Sequence, residues 1–309
     1  MLSQVTEVHS MLHIIETQQF SKGWVKEIFF VADTRGKKLS NVLKGKIMAS
    51  LFYEPSTRTR FSFESAMIKL GGNVISTENA REFSSAAKGE TLEDTIRVVN
   101  AYADVIVLRH PENGAAARAA TVSSVPVINA GDGTGQHPTQ ALLNLYTIYK
   151  EHGKVEDTTI AFVGDLKNGR TVRSLAYLLG KYKGIRMFFV SPKQLKIGHD
   201  IKNYLERHSV SYQELESWDS ILGEVDALYQ TRIQKERFKN TREYRTFKGR
   251  YILTLQEVEQ MKPKSIIMHP LPRIDEIRPE VDTSPGAVYF KQAEYGLAIR
   301  MALLMKLLK

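Results

Sequence analysis

The sequence contains no cysteine. That excludes disulfides, thiol catalysis and cysteine-ligated zinc or iron–sulfur centres. With no disulfide to form, a reducing, cytoplasmic setting is expected. Long hydrophobic runs are missing too: no stretch approaches about 18 apolar residues without a charge, so no membrane span is expected. Residues Met1 to Glu7 lack a basic region followed by an apolar one, and no signal peptide is expected. Neither HExxH nor any comparable ligand spacing occurs among the eight histidines, so no metal or other cofactor is expected.

What is present is ordinary globular composition at 309 residues, a length that favours about two domains. The formal charge of +9 admits two partner classes, nucleic acid or small anionic substrates. Cations are densest at Arg232, Lys235, Arg237, Lys239, Arg242, Arg245, Lys248 and Arg250, opposed within that run by Glu236 and Glu243. Aromatic interleaving is limited to Phe238, Tyr244 and Phe247, with no recognisable binding module, so nucleic acid is the disfavoured partner.

Short apolar runs alternate with helical patterns along nearly the whole chain. Strands are expected at 47–53, 73–76, 104–109, 125–129, 159–164, 186–191, 226–231 and 265–269. Helices are expected near 57–70, 90–103, 113–121, 138–152, 170–182, 199–207, 217–222, 255–261 and 290–308. Alternation of this kind predicts an α/β class with mostly parallel sheets covered by helices. The number of elements exceeds one doubly wound sheet, which predicts two such domains with a cleft between them. The glycines at 131, 133 and 135 mark the boundary. Residues 138–152 then bridge the domains, and the apolar terminal helix packs back on the N-terminal domain. The expected division is 1–137 plus 287–309 against 138–286.

Chemistry-suited motifs recur where strands end. Glu54-Pro55-Ser56-Thr57-Arg58-Thr59-Arg60 follows an apolar run and opens a helical pattern carried by Phe63, Ala66, Met67 and Leu70. A helix N-terminus offers unpaired N–H groups and about half a positive charge. Ser56, Thr57 and Thr59 hydroxyls with the Arg58 guanidinium would make that end a dianion pocket. A simple cap would need one hydroxyl and no arginine. Arg109 ends another strand, on the side where open α/β sheets bind ligands. His137 and Gln140 flank Pro138 at the start of the bridging helix.

Gly164-Asp165-Leu166-Lys167-Asn168-Gly169-Arg170-Thr171 departs from a Walker A loop by carrying Arg170 in place of lysine. The planar guanidinium suits a bidentate grip on a carboxylate better than a phosphate-reaching lysine role. Arg232 and Gln234 could hold a second carboxylate. Pro270 and Pro272 disfavour regular structure around Leu271, leaving carbonyls at 270 and 271 free to accept from a ligand amide.

In this order, the motifs at 56–60, 137–140, 164–171, 231–234 and 269–273 resemble the aspartate/ornithine carbamoyltransferase family, from roughly residue 40 to the C-terminus. Ornithine enzymes of the family carry cysteines in the equivalents of the His137 and His269 motifs, so the resemblance points to the aspartate branch. It implies carbamoyl transfer from carbamoyl phosphate to the α-amine of L-aspartate, a step of pyrimidine synthesis. Ser56, Thr57, Arg58 and Thr59 would hold the phosphate. Thr59, Arg109 and His137 would serve the carbamoyl oxygen as catalytic groups, and Gln140 with the Pro270 and Leu271 carbonyls would fix the amide. Arg170 would take the α-carboxylate of aspartate, with Arg232 and Gln234 on its β-carboxylate. The resemblance also implies a homotrimer with shared sites, Ser84 and Lys88 entering a neighbour's cleft, and a closure latch of Glu54 and Arg237. Regulatory or other pathway subunits are possible partners.

Overall fold

A computed structural model describes residues 13–34, 39–80, 88–235, 238 and 240–309. Two parallel sheets form its frame. The first is built from β1 (Ile47–Phe52), β2 (Asn73–Glu78), β3 (Val105–His110) and β4 (Val127–Asp132), in the order β2-β1-β3-β4. The second holds β5 (Thr159–Val163), β6 (Arg186–Val190), β7 (Ser211–Leu215), β8 (Ala227–Gln230) and β9 (Ile266–Met268), in the order β7-β6-β5-β8-β9. Every pairing in both sheets is parallel. Central strands such as β3 and β5 are apolar over consecutive residues because helices cover both faces.

The helices are α1 (Lys22–Asp33), α2 (Thr57–Lys69), α3 (Leu92–Val99), α4 (Ala115–Val122), α5 (Pro138–His152), α6 (Arg170–Leu179), α7 (His199–Arg207), α8 (Thr241–Phe247), α9 (Leu255–Glu259) and α10 (Tyr289–Leu308). α5 is buried from Pro138 through Ile148 and packs against both α6 and α10. α10 lies across α1, α2 and α5 and also touches β9. Its burial joins the sheets in one apolar cluster that includes Met48, Phe52, Leu142, Phe162 and Leu303. Covering so much apolar area is the main force holding the two sheets together.

Strand order explains where ligands can enter. The chain runs from β1 to β2 and then crosses to the other side of β1 for β3; β5, β6 and β7 run one way before β8 returns beside β5. Each reversal opens a crevice at the carboxyl ends of the flanking strands. At the second crevice Gly164 has φ +116°, and a Cβ there would lie 2.3 Å from the Thr231 carbonyl oxygen. Glycine is what lets the ends of β5 and β8 approach so closely.

Several local expectations fail. No helix forms over 217–222: Trp218, Ile221 and Leu222 instead plug the second sheet's core from a turn. β7 was not anticipated, because an edge strand of sequence Ser-Tyr-Gln-Glu-Leu is only partly buried and lacks the apolar run of a central strand. α1 and α8 were also not anticipated.

Candidate active site

Both crevices receive the motifs read from the sequence. Glu54 to Thr59 follow β1, and Arg109 lies near the end of β3, at the first reversal. The loop to Arg170 follows β5, and Thr231 to Gln234 follow β8, at the second. His137 is the N-cap of α5 between them.

α2, α5 and α6 all start in this region, and their N-cap residues Ser56, His137 and Gly169 make no side-chain cap. By contrast Ser21 caps α1 and Thr91 caps α3. A simple capping role for Ser56 is therefore not what the fold uses. Three helix starts and their partial positive charges face this region without side-chain caps. Thr59 is buried in the first turn of α2. Arg60 turns away to Glu64 and Glu78, so the dianion pocket holds one arginine of the pair at 58 and 60.

The cations are arranged to receive anions. Partial desolvation and the facing Arg232 push the Arg58 guanidinium below its ordinary range. Arg109 donates to the Ala130 carbonyl (3.3 Å) and lies 3.5 Å from Glu54. Arg170 donates to the Gly133 carbonyl (2.9 Å) and lies 3.4 Å from the same Glu54 oxygen. A carboxylate thus bridges an arginine of the first sheet and one at the start of α6. Gly131, at φ +113°, makes room: a Cβ there would lie 3.0 Å from Arg170 Cζ.

His137 is buried, and its pKa is driven well below the usual histidine range by burial first, then by Arg170, Arg109 and Arg300. The imidazole is neutral at physiological pH, so it can offer one N–H without adding a charge. Its backbone N–H donates to Ser174 Oγ on α6 (2.9 Å). Gln140 Nε2 donates to Asn144 Oδ1 (2.9 Å). At the β9 end, Leu271 N–H donates to His269 Nδ1 (2.7 Å), which puts the ring proton on Nε2, facing Glu276 Oε1 at 2.8 Å. Burial also lowers the His269 pKa, Glu276 opposing. Leu271 sits in the left-handed region at φ +55°. A solvent-open recess lies beside Arg232, lined also by Gln230, Tyr251 and Glu276.

Arg300, on the inner face of α10, was not anticipated. It is buried, stands 5.1 Å over the Phe63 ring, and has its pKa pushed down to about 9 by desolvation. An arginine inside the otherwise apolar run from Leu297 to Met305 is the available signal. The buried Asn144, Tyr229 and Gln292 were not anticipated either, since nothing in the local sequence marks them. Lys88 is exposed shortly before α3, while Ser84 and Arg237 lie outside the described residues. Within the basic run, Lys248 lies 3.9 Å from Asp275 and Arg250 3.6 Å from Glu216, so part of that charge is locally neutralised.

A pH effect on stability follows. His137 and His269 bind protons more weakly folded than unfolded, so the unfolded chain gains protons first as pH falls through the ordinary histidine value of 6.5. Stability from each is intact above that pH and is lost below it, at about 1.4 kcal/mol per pH unit per group until the folded pKa is reached. Urea unfolding of His137→Gln is expected to show a slope between pH 6 and pH 5 that is shallower than the unsubstituted protein's by about that amount. Identical slopes would mean that His137 titrates normally in the folded state.

The family model for the aspartate/ornithine carbamoyltransferase carbamoyl-P binding domain matches residues 12–150, and that for the Asp/Orn binding domain matches residues 156–307. The chain is 56% identical over 301 residues to chloroplastic aspartate carbamoyltransferase 2 of Pisum sativum, covering 96% of this chain and 78% of that protein. It is similar to the crystallised catalytic subunit of aspartate transcarbamoylase from Methanocaldococcus jannaschii, with 51% identity, TM-score 0.88, and coverage of 96% and 98%. The aspartate transcarbamoylase of Trypanosoma cruzi in complex with carbamoyl phosphate and aspartate is similar at 40% identity, TM-score 0.91, and coverage of 96% and 97%. With two domain models spanning nearly all of it and relatives at this identity, the chain belongs to the aspartate/ornithine carbamoyltransferase family.

Proposed function

We propose that the chain transfers the carbamoyl group of carbamoyl phosphate to the α-amine of L-aspartate, giving N-carbamoyl-L-aspartate and phosphate for pyrimidine synthesis. The observation that carries the reading is the placement of Glu54. Its carboxylate lies between Arg109 and Arg170, so a substrate carboxylate that replaced it at Arg170 would leave Arg109 to face the carbamoyl oxygen. Arg58 and the start of α2 stand ready for a phosphate in the first crevice.

Carbamoyl phosphate binds with its phosphate against Ser56, Thr57, Arg58 and Thr59. Its carbonyl oxygen meets Thr59, Arg109 and neutral His137, and its amide meets Gln140 Oε1 and the carbonyls of Pro270 and Leu271. Arg170 takes the α-carboxylate of aspartate, displacing Glu54, and Arg232 with Gln234 takes the β-carboxylate. The amine then attacks the carbamoyl carbon, a C–N bond forms, and charge collects on the oxygen. One preorganised donor at such an oxygen is typically worth about 3–4 kcal/mol. Collapse breaks the C–O bond to phosphate, which leaves with the amine proton. No enzymic nucleophile is needed, and the acceleration comes from positioning and electrostatics.

Residues 1–137 with 287–309 form the carbamoyl-phosphate body and 138–286 the aspartate body in this reading. Glu54, once released, pairs with Arg237 to hold them closed. Ser84 and Lys88 complete a neighbouring site in a homotrimer, and regulatory or pathway chains could join it. A cytoplasmic setting suits the lack of cysteine, although plant relatives are named as chloroplastic. Among the described residues no helix is long and apolar enough to cross a membrane.

The direct test is formation of carbamoyl aspartate from carbamoyl phosphate and aspartate, with ornithine and putrescine as rival acceptors. Faster turnover with either rival would overturn the substrate assignment. Arg232→Ala is expected to raise the aspartate KM by about 100-fold, as removal of a charge-assisted contact does, with a much smaller change for carbamoyl phosphate. The reverse pattern would remove Arg232 from the aspartate side.

A further inference from the structure

A chain of buried amides joins the two ends of the cleft. The His269 backbone N–H donates to Gln292 Oε1 on α10 (3.0 Å). A backbone N–H can only donate, so it fixes which way round the Gln292 amide lies. Gln292 Nε2 is thereby turned toward Asn144 Oδ1 on α5 (2.7 Å). Asn144 Nδ2 donates to Tyr229 Oη on β8 (3.0 Å), and the same Oδ1 accepts a second bond from Gln140 Nε2 (2.9 Å). Asn144 and Tyr229 are fully buried, and Gln292 is 1% exposed, so reversing any of these amides would strand a polar group away from water.

The direction set by one backbone proton therefore passes through two side-chain amides, Gln292 and Asn144, to Gln140. With Nε2 committed to Asn144, Gln140 Oε1 makes no hydrogen bond among the described residues. His269 anchors the other acceptors too, because its Nδ1 receives the Leu271 N–H and so registers the turn carrying the Pro270 and Leu271 carbonyls.

We propose that Asn144 and Gln292 are positioning residues that hold Gln140 with its oxygen toward the transferred group, so that the site selects a hydrogen-bond-donating amide over an isosteric methyl. The inference rests on the carbamoyl-transfer reading and names what makes the site specific for that group. A carbamoyl NH2 satisfies acceptors that an acetyl CH3 leaves unpaired. Sites built to pair with a polar group reject analogues lacking it far more strongly than apolar pockets reject a size change. A reversed Gln140 would set NH2 against NH2 and remove that preference.

The test compares carbamoyl phosphate with acetyl phosphate as donors to aspartate on the full chain. Acetyl transfer forms the N–C bond to aspartate and breaks the C–O bond to phosphate, which carries off the amine proton. Where acetyl transfer is too slow to follow, the inhibition constant of acetyl phosphate against carbamoyl phosphate replaces it. Asn144→Leu is expected to lower kcat/KM for carbamoyl phosphate about tenfold, the usual scale for one lost buried hydrogen bond, with the acetyl phosphate value within about twofold. Asn144→Asp, whose carboxylate still accepts both amide donors, is expected to keep the preference within about threefold of the unsubstituted chain. A purely structural role would lower both donors together. An unchanged donor preference in Asn144→Leu overturns the proposal.

If Asn144→Leu does not fold, Gln292→Met is measured in the same way: a reduced preference supports the role and an unchanged one overturns it. Failure of the unsubstituted chain to make carbamoyl aspartate would instead overturn the functional reading itself, and is visible without any variant.

Discussion

Arg58→Ala is expected to lower kcat by about three orders of magnitude while the unfolding midpoint stays the same or rises slightly. The catalytic part follows from what the guanidinium would do for the leaving group. Phosphate departs as charge builds on its oxygens, and arginines placed on such groups contribute about 10³-fold or more in related phosphoryl chemistry. The stability part follows from what Arg58 does without substrate. It is exposed at the first turn of α2, and the charge facing it is Arg232, a like charge. Removing it relieves that repulsion and breaks no hydrogen bond or ion pair among the described residues. Steady-state kinetics with saturating substrates and calorimetry on the same sample check both halves. A kcat within about tenfold of the unsubstituted chain would remove Arg58 from the phosphate site. Arg58→Lys keeps the charge but loses the planar fork, so it should fall between the two.

An expected pairing of low structural cost and high chemical cost is what makes the candidate site legible in the sequence. Three hydroxyls and two arginines at 56–60 are more than a helix start needs for stability, and the α2 start forms without a Ser56 cap. The same holds for Arg109, Arg170 and Arg232, polar groups stationed at the ends of apolar strands. The alternation of strands and helices was legible because central parallel strands such as β3 and β5 must be apolar on both faces. What failed were elements whose sequences carry no such contrast. β7 is a polar edge strand, and the 217–222 segment supplies apolar plugs to the core from a turn while imitating a helix in its spacing.

The amide chain behind Gln140 was invisible for a different reason. Asn144 lies one helical turn from Gln140, but it meets Tyr229 85 residues away and Gln292 148 residues away. Singly, each of those side chains reads as an unremarkable member of its own element. Arg300 is similar: α10 gives it a buried place over Phe63, and its effect on His137 arises from a helix whose sequence pattern signals packing. Chemistry carried by residues next to strand ends is readable along the chain, whereas support carried across the domain junction appears in three dimensions alone.

Arg170→Ala is expected to raise the aspartate KM by about 100-fold or more and to lower kcat, with carbamoyl phosphate binding changed less than about threefold. Arg170 is the cation that starts α6, and it reaches across to the first sheet through the Gly133 carbonyl and Glu54. Its loss removes the proposed α-carboxylate clamp and leaves Glu54, among the described residues, with Arg109 as its remaining ion-pair partner, so the carboxylate no longer reports on aspartate. The phosphate end is spared because Ser56, Thr57 and Arg58 belong to a different crevice. Gly131→Ala gives an independent check that leaves the arginine in place. A Cβ at φ +113° is strained at about 1–3 kcal/mol, and at 3.0 Å from Arg170 Cζ it must push the guanidinium aside. The expected result is the same kinetic signature at reduced size, about tenfold in the aspartate KM, together with a lower unfolding midpoint. If either variant raised the carbamoyl phosphate KM more than that for aspartate, Arg170 would belong to the phosphate side of the cleft. The near-Walker loop at 164–171 would then have to be read again as a phosphate grip.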